Sequence, residues 1–212
     1  KDVSVDANIQ LSTALDIPAS TAITCVKPSG TVSQLVDSAS GIHPRHSKYY
    51  IRRVRGDKKD PLSTFMTEQG IPSEDCVMRP ESTTVFSFPK KAPHNALLRE
   101  DLTAVQHLDL WMMYQQHWCE HKPSVTISVT EDEWVEVGAW VWKNFDDISG
   151  VSFLPYDGGT YKQAPYEECS EEEYLELLHK MPDTIDWDSL VEEDDNVEGA
   201  QQLACTAGVC EI

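Results

Sequence analysis

The sequence has no run of about 18 apolar residues, the length a helix needs to cross a bilayer, so a helical membrane span is excluded. An apolar leader segment is missing as well. Basic residues are scarce: 17 Lys and Arg stand against 36 Asp and Glu, for a net charge of −19 over 212 residues. Polyanions and anionic membranes are gripped by clustered Lys and Arg, so non-specific binding to DNA, RNA or acidic lipid is excluded. No GxxxxGK[ST] phosphate loop occurs, and no HExxH metal motif. There is no internal repeat and no low-complexity tract. Cysteines number six, and Cys25, Cys76, Cys119 and Cys169 show no metal-ligand spacing. Without a signal segment, a secreted disulfide scaffold of this length is not expected. The reading is a reducing, cytoplasmic compartment.

What is present is a core-forming composition, 40% hydrophobic, with an uneven charge distribution. Residues 43–59 (HPRHSKYYIRRVRGDKK) are basic and residues 167–198 acidic. A local basic segment in an acidic chain suits a small anionic ligand; it equally describes a basic strand paired with acidic neighbours. Apolar periodicity and stop signals predict helices over residues 6–15, 60–69, 101–120, 131–145 and 170–181. Another helix is predicted to open at 31–36. Ser170 with Glu173 has the capping-box spacing. Strands are predicted over residues 21–26, 49–54, 83–88, 124–129 and 151–154, with Pro80 and Pro89 bounding the third. Strands alternating with long helices imply an α/β architecture. Too few strands are present for a closed barrel, so the chain is expected to be one part of a larger one.

Several segments carry chemistry. In Lys27-Pro28-Ser29-Gly30-Thr31-Val32-Ser33 a β-type run enters a turn and then a helix. Gly30 permits close backbone approach, and successive N–H groups with the hydroxyls of Ser29, Thr31 and Ser33 can hold an anion. The same residues also make an ordinary turn with a helix cap. At the other end, Cys205 and Cys210 lie on an acidic segment poor in large apolar groups, with small residues between them. A tethered dithiol of this kind can visit one site to reduce a disulfide and another to be reduced. Half a zinc site is the alternative, but no further ligands are near in sequence. Ser40-Gly41-Ile42-His43-Pro44-Arg45-His46 reads as a phosphate- or cofactor-binding turn or as a polar loop. His117 and His121 would share a helix face, and a helix end carrying histidine at its negative pole is preferred to a metal site. Residues 152–161 lead from a strand into a Gly-Gly turn flanked by tyrosines, which lines a site or simply turns the chain.

The stretches Thr24-Cys25-Val26-Lys27-Pro28-Ser29-Gly30-Thr31-Val32-Ser33 and Ser40-Gly41-Ile42-His43-Pro44-Arg45 resemble the phosphate-loop region of adenosylcobalamin-dependent (class II) ribonucleotide reductases. Lys122-Pro123-Ser124-Val125-Thr126-Ile127, residues 150–156, Gln163-Ala164-Pro165-Tyr166 and the Cys-x4-Cys-Glu-Ile terminus are similar to the same family. Its monomeric triphosphate-reductase branch looks nearest. The resemblance implies the C-terminal part of a ten-stranded α/β barrel over residues 1–186 and a flexible tail over 187–212. It implies that Pro28, Ser29, Gly30, Thr31 and Val32 hold the substrate phosphates. Cys205 and Cys210 would be the shuttle dithiol, restored by thioredoxin or a similar reductant. Adenosylcobalamin is the implied cofactor, with a ribonucleotide as substrate. The radical cysteine of the finger loop and the allosteric deoxynucleotide site have no counterpart here. The chain is therefore expected to be a fragment, inactive alone. A reductase with another radical initiator, or a non-catalytic nucleotide-binding or redox module, are the rival readings.

Overall fold

A computed structural model describes residues 1–30, 32–156 and 162–191. The helices are α1 (Asp2–Leu15), α2 (Val32–Leu35), α3 (Pro61–Glu68), α4 (Ala104–His117), α5 (Trp134–Lys143) and α6 (Glu171–Lys180). The strands are β1 (Tyr49–Asp57), β2 (Ser73–Asp75), β3 (Thr83–Lys91), β4 (Thr126–Val129), β5 (Ser152–Pro155) and β6 (Tyr166–Glu168). The described residues divide into two compact units, one drawn from residues 1–45 with 97–156 and one from residues 46–96 with 162–191.

The first unit is built on a β4–α5–β5 crossover. Its two strands pair in parallel, from Thr126 opposite Ser152 to Val129 opposite Pro155. Parallel strands need such a crossover, and the helix supplies it. Ile127 and Val129 are fully buried, and so are Leu108 and Trp111 of α4; Ala104, Met112, Val125, Val137 and Ile42 complete the core. The start of α4 is set by a capping box. Thr103 Oγ1 accepts from Gln106 N–H at 3.1 Å, and Gln106 Oε1 accepts from Thr103 N–H at 2.9 Å. The predicted start at residue 101 is thus displaced, because Thr103 satisfies the orphan donors of the first turn. Glu133 joins α4 to α5. Its carboxylate accepts from Ala104 N–H at 2.7 Å and from Thr130 N–H at 3.0 Å. Burial opposes its ionisation, but these N–H donors outweigh that and hold the carboxyl below its usual range.

The strand predicted over 21–26 does not form. This segment runs beside residues 118–122 and is held by backbone bonds from Glu120 and His121 N–H to Thr24 O together with side-chain bonds. Ile23 N–H donates to Glu120 Oε2 at 3.0 Å, Thr24 N–H to the same oxygen at 3.3 Å, and the Thr24 hydroxyl to Trp118 O. Its β-branched residues were legible, but it has no ladder, since a carboxylate takes the donors a neighbouring strand would have taken.

The second unit is antiparallel rather than α/β in the wound sense, with strand order β2-β3-β1-β6. Every pairing in this sheet is antiparallel. β3 continues to Lys91, past Pro89, which the sequence pattern placed outside the strand. Ser87 N–H donates to Pro72 O at 2.9 Å on the β2 side. Pro89, two residues on, therefore turns its nitrogen the same way, away from β1 and beyond the last β2 pairing at Phe86. No ladder bond is lost. Asp60 caps α3 by accepting from Leu62 N–H at 2.9 Å, with Pro61 in the first turn. The capping box read from Ser170 and Glu173 starts α6, with bonds of 3.1 and 2.8 Å.

Among the described residues the fold is mixed α/β, with a four-stranded sheet in one unit and a two-stranded sheet in the other, and no closed barrel is formed. No described helix is long and apolar enough to cross a membrane.

Candidate phosphate-binding turn

The segment singled out at Lys27–Ser33 is a turn clasped from two sides. Ser29 N–H donates to Ser40 Oγ at 2.8 Å, and the Ser40 hydroxyl donates back to Ser29 O at 2.9 Å. The Ser29 hydroxyl in turn accepts from Ser33 N–H at 2.9 Å and so caps α2. Gly41 sits at φ +60, where a Cβ would come within 3.2 Å of Lys27 O and Pro28 N. Only glycine takes that conformation without strain and allows this approach. Gly30 is the reverse case: no described residue lies within 4 Å of where its Cβ would be. One flank of the turn is closed by Ser40–Gly41, and the flank at Gly30 is open.

The expectation that helix polarity supplies the anion site needs adjustment. The following helix is one turn of four residues, so its macrodipole is small. Ser29 N–H and Ser29 Oγ have intramolecular partners. What the turn offers an anion is the Ser29 O–H and the backbone beside Gly30. Thr31 lies outside the described residues, as do Cys205, Cys210 and residues 157–161 of the Gly-Gly turn.

A histidine pair, buried His107 and half-buried His43, fixes the clasp to the core. His43 Nδ1–H donates to Ser40 O at 2.7 Å, and Thr126 N–H donates to His43 Nε2 at 3.0 Å. Both partners require the neutral ring protonated at Nδ1. His107 Nε2–H donates to Ile42 O at 2.8 Å from α4. Burial pushes His43 below its ordinary value of 6.5, partly opposed by the Ser40 carbonyl. His107 is lowered chiefly by burial, with the Ile42 carbonyl opposing and His43 adding to it. Three of the quoted motifs thus meet in one unit: the turn at 28–30, the Ser40–Arg45 segment, and Thr126 of the Lys-Pro-Ser-Val-Thr-Ile run. Arg45, 4% exposed, donates to Ser38 O at 2.7 Å and pairs with Asp37 Oδ1 at 2.9 Å, which shapes the loop between them.

The histidine pair has a pH signature. The unfolded chain takes up protons near 6.5 while the native rings resist, so the unfolded state binds more protons as pH falls. Stability is retained above that value and lost below it. The urea midpoint should fall between about pH 7 and about pH 5, and less steeply in His43→Gln; an unchanged slope in that variant refutes the assignment.

Side chains of the His117–His121 segment have protein partners. Lys27 Nζ contacts His121 Nδ1 at 3.1 Å, Glu120 is engaged by Ile23 and Thr24, and no metal-holding group of His, Cys, Asp and Glu occurs among the described residues. Bonds from the Ile23 N–H, more than from any other group, hold the Glu120 carboxyl below its usual value. The basic run on β1 serves its neighbours in the sheet. Arg52 Nη1 donates to Pro165 O at 3.1 Å, Arg53 to Ala164 O at 3.3 Å and to Glu167, and Arg55 to Gln163 O at 3.0 Å. Of the two readings left open, the structure favours a basic strand paired with acidic and carbonyl neighbours. Sequence reasoning missed His107 and the role of Gly41; a glycine after Ser40 was the one visible signal.

No protein-family model matches the chain. It is 31% identical over 211 residues to an adenosylcobalamin-dependent ribonucleoside-triphosphate reductase of Euglena gracilis, covering 99% of this chain and 29% of that protein. The corresponding protein of Lactobacillus gasseri is 29% identical over 98% of the chain and 29% of its own length. A probable member from Dictyostelium discoideum is 30% identical over 93% of the chain and 26% of its own length. A crystal structure of a B-12 dependent (class II) ribonucleotide reductase matches with a TM-score of 0.71 at 28% identity, over 85% of this chain and 26% of that one. In sequence and in fold the chain is similar to part of the ribonucleotide reductase class. More particularly, the chain is homologous along nearly its whole length to part of the adenosylcobalamin-dependent ribonucleoside-triphosphate reductases, and it spans under a third of their length.

Proposed function

We propose that this chain is the segment of an adenosylcobalamin-dependent ribonucleoside-triphosphate reductase that seats the substrate phosphates and carries the shuttle dithiol. The observation that carries the reading is the turn at Pro28-Ser29-Gly30, braced by Ser40 and Gly41 on one flank and open at Gly30 on the other. Phosphate oxygens would approach at that open flank, with Thr31 and Val32 completing the contact. On this reading the strands belong to a ten-stranded barrel completed by the rest of the polypeptide, residues 1–186 being barrel and 187–212 the tail. The same remainder would carry the radical cysteine and the allosteric deoxynucleotide site.

The dithiol has a defined electron balance. Reduction breaks the ribose 2′ C–O bond, releases that oxygen as water and forms a C–H bond, while two active-site thiols become a disulfide. A thiolate from Cys205 or Cys210 attacks that disulfide, and the other tail thiol resolves the mixed disulfide. The tail disulfide is then reduced by thioredoxin or a similar dithiol protein. Adenosylcobalamin would supply the initiating radical. His43 and His107 are both committed to backbone groups, so neither fits as a cobalt ligand.

The test uses the intact polypeptide. Ribonucleotide reduction with dithiothreitol is expected only when adenosylcobalamin is added. Cys205→Ser should keep that activity and lose turnover driven by thioredoxin. Reduction without the cobalamin points to another initiator; no reduction in either condition leaves a non-catalytic binding module.

A further inference from the structure

Cys25 and Cys119 have no part in the phosphate turn or the shuttle, yet the fold brings them together across 94 residues of chain. The segment around Cys25 and the segment after α4 are stitched along their length. Glu120 N–H donates to Thr24 O at 2.8 Å, the Trp118 indole N–H to Cys25 O at 3.3 Å, and the Cys25 thiol lies 3.3 Å from His121 O. These bonds fix the two backbones side by side and place Cys25 against the Trp118–Lys122 stretch that contains Cys119. Thr24, the neighbour of Cys25, bonds to Trp118 O and to Glu120 N–H, the two residues that flank Cys119. Cys119 is raised above the ordinary thiol value, first by burial, with nearby Cys25 adding to it. Cys25 is half-buried, whereas Cys119 is 7% exposed.

We propose that Cys25 and Cys119 form a redox-modifiable thiol pair that closes reversibly to a disulfide under peroxide. The two sulfurs have the unequal access that such chemistry uses. Peroxide reaches Cys25, whose thiolate attacks an oxygen; the O–O bond breaks, hydroxide leaves and a sulfenic acid forms. Cys119 then attacks that sulfur and expels the oxygen as a second water. The balance is two thiols and one hydrogen peroxide giving one disulfide and two waters. A dithiol reductant reverses it by exchange. The bond ties the chain entering the Lys27–Ser33 turn to the end of α4, so the modification lies next to the proposed phosphate contact without being part of it.

The other two described cysteines serve as internal controls. Cys76 is buried in the second unit, and Cys169 is pushed up to about 11, first by burial and then by Glu173, Glu167 and Glu168. Neither has a described cysteine beside it.

The experiment is peptide mapping of the intact polypeptide after native treatment with hydrogen peroxide, alkylation and trypsin. Lys27 and Lys122 precede proline and resist cleavage, so Cys25 falls in a peptide spanning residues 2–45 and Cys119 in one spanning 100–143, each the sole cysteine there. The expected result is loss of both alkylated peptides and appearance of their cross-linked sum, two hydrogens lighter, which dithiothreitol splits. Cys25→Ser and Cys119→Ser should each abolish the linked species and leave the Cys76 and Cys169 peptides as before. Recovery of both peptides separately alkylated overturns the proposal, and so does a link from Cys25 to Cys205 or Cys210 instead. The readout is a mass, so it succeeds or fails independently of nucleotide binding.

Discussion

Replacing Trp111 by alanine is expected to cost about 3–5 kcal/mol of stability, the usual range for emptying a large aromatic site. Trp111 is fully buried at the centre of the first unit, between Leu108 and Met112 of its own helix and the Val125–Val129 run. Its indole N–H also donates to Pro123 O at 2.9 Å. Removing the ring opens a cavity and strands a buried carbonyl, which adds a desolvation cost of about 1–3 kcal/mol where water cannot enter. Trp111→Phe should fall between wild type and alanine, since it keeps much of the volume and loses the hydrogen bond. Urea unfolding of the intact polypeptide, followed by near-ultraviolet circular dichroism, reads the difference. A loss under about 1 kcal/mol would mean that Trp111 is not at the centre of this core.

Two glycines in one loop system are expected to differ in their effect on stability while both lower affinity. Gly41→Val places a β-branched residue at φ +60 with its Cβ 3.2 Å from backbone atoms of Lys27 and Pro28. The clasp cannot keep its shape, and about 1–3 kcal/mol of stability should go with it. Gly30→Val meets no described residue within 4 Å, so the unfolding midpoint should hold within about 0.5 kcal/mol. The same substitution fills the flank at which a phosphate would approach. Nucleoside-triphosphate affinity, measured by calorimetry on the intact polypeptide, should fall on the order of tenfold or more, ~1.4 kcal/mol. Gly41→Val should lose both stability and affinity. Unchanged affinity in Gly30→Val would remove the phosphate role from this turn while leaving its architecture intact.

Much of the local structure was legible because its causes are local. Ser170 and Glu173 exchange bonds three residues apart, and Asp60 reaches Leu62 just ahead of it. Such contacts are complete within one turn of chain, so a pattern of residues is enough to specify them. The misreadings share the opposite property. Residues 21–26 have strand composition but find a carboxylate 97 positions away at Glu120 instead of a ladder. Pro89 ends a strand by rule, yet here its nitrogen faces a side where no partner strand continues. Arg52, Arg53 and Arg55 looked like an anion site in isolation; the return of residues 163–167 alongside β1 gives their donors to carbonyls and Glu167.

By itself the sequence determined the capped starts of α3 and α6, the absence of a long apolar helical span, and the family resemblance. Each rests on composition, order or short-range bonding, which the chain carries in any conformation. Only the tertiary structure decided that Ser40 braces Ser29 from 11 residues away, that His43 accepts from Thr126 across 83 residues, and that the Cys25 thiol reaches His121 O across 96. Those contacts require segments remote in sequence to be brought into register by burial of the core they share, and no local pattern encodes which remote donor meets which acceptor.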